Sequence, residues 1–255
     1  MTSLPFELER SQLEGKVALI TGASRGLGRA VAQRFGDHGL SVALCARHVP
    51  EAPAGVPSLC EALDVSDPAA LEAFSNKAES QLGPIALWVN NAGVLDPMGP
   101  LRAADPAQIE RALMVNIGAV ANGSRIFANL ARDRARDSRH VLVNISSGAA
   151  QSVYEGWAIY GATKAAVDQL TRTIAAEEPA LICKAVAPGV VDTNMQAQIR
   201  THDESTFPAI ARFRDLHKTG NWNSPEWISD HLLALVAGTW EPDDAVLRIP
   251  DVPRR

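Results

Sequence analysis

The chain has 255 residues, of which 46% are hydrophobic and 21% are charged, and its formal net charge is −5. This balance excludes a disordered chain, because disorder combines low hydrophobicity with high net charge. The acidic excess argues against a nucleic-acid-binding or anionic-membrane-binding surface, although a local basic patch can still bind one phosphate group.

Secretion and membrane signals are missing from the sequence. No apolar run approaches the roughly 18 residues of a membrane span, and residues 1–10 lack the apolar core of a signal peptide. The three cysteines, Cys45, Cys60 and Cys183, are widely spaced within apolar runs, which is typical of core residues in a reducing compartment. We therefore expect a cytoplasmic protein without a disulfide or a bound metal.

Short apolar runs alternate along the chain with longer segments of helical periodicity. This alternation is typical of repeated βαβ units around a parallel sheet that is buried on both faces. Strands are predicted at seven places: residues 16–21, 41–46, 58–62, 85–90, 140–145, 181–187 and the weaker 245–249.

Helix signals fill the intervals between these strands. Asp-Pro pairs at 67–68 and 105–106 combine a capping carboxylate with a proline in the first turn. Helices are predicted at residues 27–37, 68–82, 106–115, 119–135, 157–178 and 225–237.

Residues 190–224 interrupt the alternation with a polar stretch that contains Pro208 and Gly220. A long irregular segment after a strand is usually a functional lid or a linker. Only one helix and one weak strand follow it, which is too little for a second core. The sequence therefore predicts a single domain over residues 1–255, with residues 190–224 as a substrate lid and with loosely held termini at 1–13 and 250–255.

The first predicted strand runs into Thr-Gly-Ala-Ser-Arg-Gly-Leu-Gly at 21–28, and a helix follows. A dinucleotide pyrophosphate needs exposed backbone N–H groups at a helix N-terminus, and Gly22, Gly26 and Gly28 remove the side chains that would block it. The spacing is Gly-x3-Gly-x-Gly rather than Gly-x-Gly-x-x-Gly, but the strand–turn–helix context is present. The alternative is an ordinary glycine-rich turn with a helix cap.

Cofactor preference is expected at the end of the second strand, about 20 residues further on, where an acidic residue would hold the ribose 2′-hydroxyl of NAD. Ala46 and Arg47 occupy this place instead. Because no carboxylate repels a 2′-phosphate, and because Arg25 and Arg47 can bind one, the sequence predicts NADP(H). Alternatively, the two arginines are solvated surface residues.

A possible catalytic group lies further along the chain. Tyr160 and Lys164 are four residues apart on a predicted helix, so they project from one face. Ser147 follows the fifth strand, at the sheet edge where open α/β sheets bind ligands. Hydride transfer to a ketone leaves an alkoxide that needs a proton donor, and a lysine ammonium lowers the pKa of a nearby phenol. The pattern predicts Tyr160 as the acid, Lys164 as the residue that tunes its pKa, and Ser147 as the hydrogen-bond donor to the carbonyl oxygen.

These motifs together resemble those of the short-chain dehydrogenase/reductase family, in order, over about residues 14–240: residues 21–28, Asn90-Asn91-Ala92-Gly93, Asn116, Ser147, Tyr160-x3-Lys164 and Pro188-Gly189. More narrowly, residues 144–150, 156–160 and 188–196 resemble the sepiapterin reductase and benzil reductase branch.

The resemblance implies that Asn116 holds a water in a proton relay beyond Lys164, and that Lys164 also binds the nicotinamide ribose. It further implies cofactor contacts by the glycine loop, by the residues after the third, fourth and sixth strands, and by the catalytic tyrosine: Gly22, Ser24, Arg25, Gly26, Leu27, Gly28, Asp64, Val65, Asn91, Ala92, Gly93, Tyr160, Pro188, Gly189, Val190, Val191 and Thr193. Alternatively, Asp64 caps a helix, Asn116 is a helix-kink or capping residue, and Pro188-Gly189 is only a turn.

The C-terminal region bears on the substrate. Sepiapterin reductases hold the pterin with a carboxylate near the C-terminus, where this chain has Arg248, with Asp251 close by in sequence. This departure favours a 1,2-diketone or an aromatic ketone over a pterin. Trp157, Met195 and Trp222 are predicted to line an apolar substrate pocket, with core or lid packing as the alternative.

The expected fold is an α/β, doubly wound, Rossmann-type domain with a seven-stranded, mostly parallel sheet in the order 3-2-1-4-5-6-7 and helices on both faces. The expected activity is NADPH-dependent reduction of a 1,2-diketone to the hydroxyketone. Alternatives are a sepiapterin or pterin side-chain reductase, a secondary-alcohol dehydrogenase, and a non-catalytic NADP(H)-binding sensor module. The resemblance also implies a homodimer or homotetramer.

Overall fold

The computed structural model describes residues 6–132, 134, 139–191, 193–204, 206–220 and 222–252. Seven strands form one parallel sheet in the order β3-β2-β1-β4-β5-β6-β7, as predicted. The strands are β1 (Val17–Thr21), β2 (Ser41–Ala46), β3 (Ser58–Ala62), β4 (Ile85–Asn90), β5 (Val141–Ile145), β6 (Ile182–Ala187) and β7 (Val246–Arg248).

The strand order places a topological switch between β1 and β4. The chain builds outward from β1 to β3, then crosses back to continue on the other side of β1. Loops leave β1 and β4 in opposite directions, so a crevice opens above their carboxyl ends, which is the usual ligand site of such sheets. The central strands are buried on both faces, which explains their continuous apolar runs.

Helices cover both faces of the sheet. They are α1 (Gly26–Asp37), α2 (Pro68–Leu82), α3 (Pro106–Leu113), α4 (Ala119–Arg132), α5 (Ala158–Glu177), α6 (Asn194–Arg200), α7 (Ile210–Thr219) and α8 (Pro225–Ala237). α1 and α8 contribute to the apolar layer on one face, while α2, α4 and α5 contribute to the layer on the other. No helix in the described ranges is both long and apolar enough to span a bilayer.

Capping explains where two of these helices begin. The Asp67 carboxylate accepts hydrogen bonds from the backbone N–H groups of Ala69 and Ala70, and Asp105 accepts one from Ala107. Both carboxylates satisfy donors that a first helical turn leaves unpaired. Between α3 and α4, a π-helical turn at Met114–Gly118 joins the two helices without a loop.

The segment 190–224 differs from the irregular lid that we expected, because it contains α6 and α7. Pro208 and Gly220, which we interpreted as interruptions, lie just outside the two ends of α7. Gly220 ends that helix in the left-handed region with a φ of +63°, which glycine adopts readily. The apolar face of α7 packs against Trp157 through Phe213. Residues 192, 205 and 221 of this segment lie outside the described residues.

The described part of the N-terminal segment is packed against the domain, although we expected it to be loosely held. The Phe6 ring lies 4.9 Å from the His231 ring and 6.5 Å from the Trp240 ring, and Leu13 is fully buried. Aromatic contacts of this kind hold a segment that carries little regular structure. Residues 1–5 and 253–255 lie outside the described part of the chain.

Candidate active site

A cavity of about 650 Å³ opens at the carboxyl ends of the strands. Its volume is within the range of about 300–1,000 Å³ found for small-molecule sites. Residues that follow β1 to β6 and the last residue of β7 contribute to its wall. The predicted site residues that line it are Gly22, Ser24, Arg25, Gly26, Leu27, Gly28, Arg47, Asp64, Val65, Asn91, Ala92, Gly93, Ser147, Trp157, Tyr160, Lys164, Pro188, Gly189, Val190, Val191, Thr193 and Met195.

The glycines of the first loop serve different purposes. Gly26 begins α1 with a φ of +57°, and a Cβ there would meet only the Thr193 side chain at 3.6 Å. A Cβ on Gly22 would lie 2.8 Å from the Ala92 Cα, and a Cβ on Gly28 would lie 2.5 Å from the Gly22 carbonyl oxygen. We had assigned all three to ligand access, but Gly22 and Gly28 are needed for the close packing of the protein's own backbone. The N-terminus of α1 faces the cavity, so the loop fits a pyrophosphate.

Thr21 joins the glycine loop to the loop after β4. Its Oγ1 accepts hydrogen bonds from the backbone N–H groups of Asn91 (3.0 Å) and Ala92 (3.1 Å). The Asn91 side chain donates to the carbonyl oxygens of Thr21 (2.9 Å) and Gly22 (3.2 Å). The Asn91 amide therefore holds the two loops together, a role that the sequence did not reveal.

Asp64 lies at the edge of the cavity after β3. Its Oδ1 accepts hydrogen bonds from the Ser66 backbone N–H (3.0 Å) and hydroxyl (2.7 Å), and Arg111 of α3 lies 3.8 Å from its Oδ2. The bonds from Ser66 lower the pKa of Asp64, and the charges of Arg111 and Arg47 add to the effect. The helix cap is Asp67, so Asp64 is not the capping residue. No sequence spacing indicated that Arg111 would reach this site.

Two arginine side chains lie near the end of β2. Arg25 and Arg47 are exposed on the cavity rim, and His48 lies beside them on the wall. Within the described ranges neither arginine is paired with a carboxylate, whereas Arg29 nearby is paired with Glu51. The rim therefore offers two guanidinium groups that have no carboxylate of the described residues within ion-pair distance, although the charge of Arg47 also acts on Asp64.

The structure brings Ser147, Tyr160 and Lys164 together. Tyr160 and Lys164 are buried on α5, and the Lys164 Nζ lies 5.8 Å from the centroid of the Tyr160 ring. The Ser147 hydroxyl hydrogen-bonds the Tyr160 phenol. The Lys164 ammonium donates to the Ile145 carbonyl oxygen at 2.8 Å, which anchors it against the end of β5.

Burial dominates the electrostatics of this group. It raises the pKa of Tyr160 above its ordinary value, and the hydrogen bond with Ser147 opposes the rise. Burial also lowers the pKa of Lys164 to about 8, while the Asp168 carboxylate acts in the opposite direction. We expected Lys164 to lower the pKa of Tyr160; the net direction is upward, because desolvation of the phenolate outweighs the hydrogen bond with Ser147.

Asn116 lies behind the cavity wall, within the π-helical turn. It is fully buried; its Oδ1 accepts from the Val94 N–H (2.8 Å), and its Nδ2 donates to the Val94 carbonyl (2.9 Å) and to the Thr163 hydroxyl (3.2 Å). The side chain thus ties the loop after β4 to α5. Asn116 does not line the cavity, and the helix-kink alternative agrees with its π-helical position.

Aromatic rings form the end of the cavity away from the glycine loop. The Trp157 ring stacks on Phe207 at 4.6 Å and lies 5.4 Å from the Tyr160 ring and 5.1 Å from the Tyr154 ring. Tyr154 had no assigned role from the sequence, yet it lines the cavity together with Trp157. Packing alone brings it there, because nothing in its local sequence marks it.

Trp222 does not belong to this wall, which corrects our prediction. Its ring stacks on His217 of α7 at 5.5 Å and is absent from the residues that line the cavity. The chain turns at Gly220 and folds Trp222 back onto the helix that precedes it. Arg248, by contrast, lines the cavity, and its guanidinium lies 3.2 Å from the Asp251 carboxylate.

Metal-binding and thiol chemistry receive no support from the described residues. No group of three or more His, Cys, Asp or Glu side chains within them is placed to hold a metal ion. The three cysteines are free, and burial raises the pKa of Cys183 to about 12. A thiol with so high a pKa is a poor nucleophile.

Comparison with known proteins agrees with this geometry. The family described as short chain dehydrogenase matches residues 16–204. A benzil reductase ((S)-benzoin forming) of Bacillus cereus is 33% identical over 252 residues, which cover 92% of this chain and 100% of the relative. A 2,3-dihydro-2,3-dihydroxybenzoate dehydrogenase of Bacillus subtilis (strain 168) is 32% identical over 240 residues, covering 89% and 90%.

The solved structures include a short chain dehydrogenase/reductase from Saccharomyces cerevisiae with a TM-score of 0.81 and 27% identity, covering 92% of this chain and 96% of that one. The fold, the crevice and these sequence matches point to the same group of enzymes. The chain therefore belongs to the short-chain dehydrogenase/reductase family, whose members are oxidoreductases that bind a nicotinamide cofactor and act on small molecules.

Proposed function

We propose that this protein is an NADPH-dependent carbonyl reductase that converts a 1,2-diketone into the hydroxyketone. The observation that carries the proposal is the convergence of Ser147, Tyr160 and Lys164 on the wall of the cavity into which the glycine loop opens. The benzil reductases among its relatives support the same chemistry and substrate class.

Each of the three residues has a distinct part in the reaction. NADPH, when bound, supplies the hydride that reaches the carbonyl carbon. Ser147 donates a hydrogen bond to the carbonyl oxygen as negative charge develops there. Tyr160 gives its phenolic proton to that oxygen, and its raised pKa keeps the proton in place until then. The Lys164 ammonium stabilises the phenolate that remains, so the reaction requires Lys164 to be charged.

Return of a proton to Tyr160 needs a path to solvent. The relay that we assigned to Asn116 stays a prediction, and the geometry restricts its form. Both polar side-chain atoms of Asn116 are engaged with Val94 and Thr163. A water held by Asn116 would therefore contact its main chain or the remaining lone pair of Oδ1.

The preference for NADP(H) rests on the rim at the end of β2. Ala46 leaves no carboxylate to repel a 2′-phosphate, and Arg25 and Arg47 supply guanidinium groups that suit a phosphate. The remaining proposed cofactor contacts follow the cavity wall. The backbone of Gly22 to Gly28, with the Ser24 and Leu27 positions, is proposed to bind the pyrophosphate, and Asp64 and Val65 are proposed to contact the adenine. Asn91 to Gly93 are proposed to lie along the cofactor, and the nicotinamide riboside is proposed to contact Lys164 together with Pro188, Gly189, Val190, Val191 and Thr193.

An aromatic diketone suits the other end of the cavity. Trp157 and Met195 offer apolar surface beside Tyr160, which matches a flat apolar substrate. Arg248 lines the cavity at the place where a pterin reductase is expected to have a carboxylate. The arginine at this place disfavours the pterin alternative. The proposed substrate is therefore benzil-like.

The decisive experiment follows NADPH absorbance with benzil, sepiapterin, simple quinones and aliphatic diketones. We expect benzil to be consumed with formation of benzoin, and NADH to be a poorer donor. Consumption of sepiapterin alone would favour the pterin alternative. NADPH binding without consumption in the presence of any carbonyl would replace the reductase by a sensor module.

Oxidation of a secondary alcohol is the second candidate. The relative described as 2,3-dihydro-2,3-dihydroxybenzoate dehydrogenase favours it, because the same site runs in both directions. The lack of an acidic residue after β2 counts against it, since that residue would select NAD. Steady-state rates with NAD⁺ and NADP⁺ on the benzoin product separate the two candidates.

We further propose a cytoplasmic homodimer or homotetramer assembled through α4 and α5. Leu113 and Met114 support this, because they expose apolar surface next to the start of α4. Light scattering coupled to gel filtration tests the assembly, and a monomer at micromolar concentration would exclude it.

A further inference from the structure

A guanidinium group lies at the aromatic end of the cavity. Arg212 of α7 lines the wall there; its Nη1 donates a hydrogen bond to the Tyr154 hydroxyl at 3.2 Å, and its guanidinium carbon lies 6.0 Å from the Tyr154 ring centroid. In the part of the chain that the structure describes, no carboxylate is within ion-pair distance of Arg212. Two other arginines on this wall are paired, Arg111 with Asp64 and Arg248 with Asp251.

The carboxylate at this end of the cavity has another partner. Asp96 lines the wall after β4, and its Oδ2 accepts a hydrogen bond from the Gln198 amide at 2.8 Å. Asp96 is therefore held towards α6 rather than towards Arg212. Among the described residues, no carboxylate neutralises the Arg212 guanidinium at contact distance.

Two aromatic side chains connect Arg212 to the proposed acid. The centroid of the Trp157 ring lies 5.4 Å from that of Tyr160 and 5.1 Å from that of Tyr154. The Tyr154 hydroxyl in turn accepts the hydrogen bond from Arg212. A substrate whose carbonyl oxygen meets Tyr160 can lay a ring along this wall and present its far end to Arg212. The spacing fits a molecule with an aromatic ring between the reacting carbonyl and a second polar group.

The available donors define what that polar group is. Arg212 has five N–H donors, and its bond to Tyr154 uses one of them. A fork of two parallel N–H donors therefore remains, which can bind both oxygens of a carboxylate. Trp157 lines the same cavity, and its buried Nε1 has no acceptor among the described residues.

We propose that this site selects an aromatic 1,2-dicarbonyl compound whose ring carries a carboxylate, with Arg212 as the specificity-determining residue. The inference rests on the proposed function, because it takes the reacting carbonyl to lie at Tyr160. It goes further by assigning a charge to the substrate and a residue that recognises it. Tyr154 orients the guanidinium through its hydroxyl and supports it with its ring.

The test compares kcat/KM for benzil and for 4-carboxybenzil, both with NADPH. The wild-type protein prefers the carboxylated diketone, and Arg212→Ala reduces the ratio of the two kcat/KM values by about tenfold, in line with the loss of a charge-assisted pair. Arg212→Lys keeps the charge but not the fork, so it retains part of the preference. Rising ionic strength lowers the ratio for the wild type and leaves that of Arg212→Ala nearly constant.

Lys218→Ala is the matched control. Lys218 is an exposed cation on the same helix, it does not line the cavity, and its removal changes the net charge equally. The ratio stays at the wild-type value in this variant. If both diketones are reduced and Arg212→Ala leaves the ratio of the two kcat/KM values unchanged, this inference is overturned while the proposed function stands. If neither diketone is reduced, the proposed function fails and the inference fails with it.

Discussion

The Ser146 hydroxyl donates a hydrogen bond to the Asp168 carboxylate, one helical turn beyond Lys164 on α5. Both side chains are buried, and the preceding residue, Ile145, accepts a bond from Lys164 through its carbonyl oxygen. Two successive residues at the end of β5 are thus tied to the helix that carries the proposed acid. This connection holds Ser147, the next residue, against α5.

Lys164 gives the proposed activity a predictable dependence on pH, and the Asp168 carboxylate modifies it. The charged groups that act on Asp168 are Lys164 and Arg172, both on α5, and Ser146 faces it from the end of β5. Burial lowers the pKa of Lys164 to about 8, and Asp168 opposes the shift. A reaction that needs the ammonium is fully active below this pKa and loses activity as the pH rises through it.

Asp168→Asn removes the opposing negative charge, so the pKa of Lys164 falls further. The basic limb of the kcat/KM profile therefore moves to lower pH, which a series of NADPH-coupled rates between neutral and alkaline pH measures directly. Ser146→Ala keeps the charge and removes only the hydrogen bond, so its basic limb stays in place. A limb that moves in both variants, or in neither, would contradict the electrostatic role of Asp168.

Tyr160→Phe removes the proposed proton donor and leaves the ring in place. We expect kcat with benzil to fall by at least about a hundredfold, because general acid catalysis contributes about 10²–10⁴-fold. The NADPH dissociation constant, measured by fluorescence, changes little, since the glycine loop and the rim at β2 are untouched. Near-normal turnover in this variant would remove Tyr160 from the mechanism.

Arg47→Asp places a carboxylate where a 2′-phosphate is proposed to bind. The ratio of kcat/KM for NADPH to that for NADH should fall by at least about tenfold, because an attraction becomes a repulsion. Arg102→Asp is the matched control, since Arg102 is exposed on a short helical turn and does not line the cavity. Equal ratios in the wild type and in Arg47→Asp would show that Arg47 does not select the cofactor.

Gly28→Ala tests the packing role of the glycine loop. The new Cβ would lie 2.5 Å from the Gly22 carbonyl oxygen and 2.4 Å from the Asn91 Nδ2, so the loops must separate. Overpacking of this kind lowers the free energy of unfolding by about 1–3 kcal/mol, which a urea titration measures, and it weakens NADPH binding. Gly118→Ala meets only ordinary contacts and serves as the control. A stable Gly28→Ala protein that binds NADPH normally would contradict the packing argument.

The sheet was predictable from the sequence because its signals are local. Apolar runs such as residues 41–46 need no knowledge of their neighbours to indicate a buried strand. Asp67 with Pro68, and Asp105 with Pro106, mark helix starts through bonds that span only a few residues. The order 3-2-1-4-5-6-7 followed from the resemblance to a known family, and the structure confirms it.

Part of the segment 190–224 was not predictable, for a physical reason. Residues 190–224 are polar on average, and their helices are stabilised by a tertiary cluster in which Ile199, Ile210 and Phe213 pack near Trp157. The polar stretch was predicted to be irregular, although Pro208 in it precedes the start of α7. Trp222 was predicted to line the substrate pocket, with core or lid packing as the alternative, and its ring stacks on His217.

By itself, the sequence determined the alternation of strands and helices, the glycine loop, and the spacing that puts Tyr160 and Lys164 on one helix face, because each depends on backbone geometry over a few residues. Only the tertiary structure decided which side chains meet across elements: Ser146 with Asp168, Arg212 with Tyr154, and Asn116 with Thr163. It also decided that burial raises the pKa of Tyr160. Contacts between distant segments and the exclusion of water arise from packing, and no local pattern encodes them.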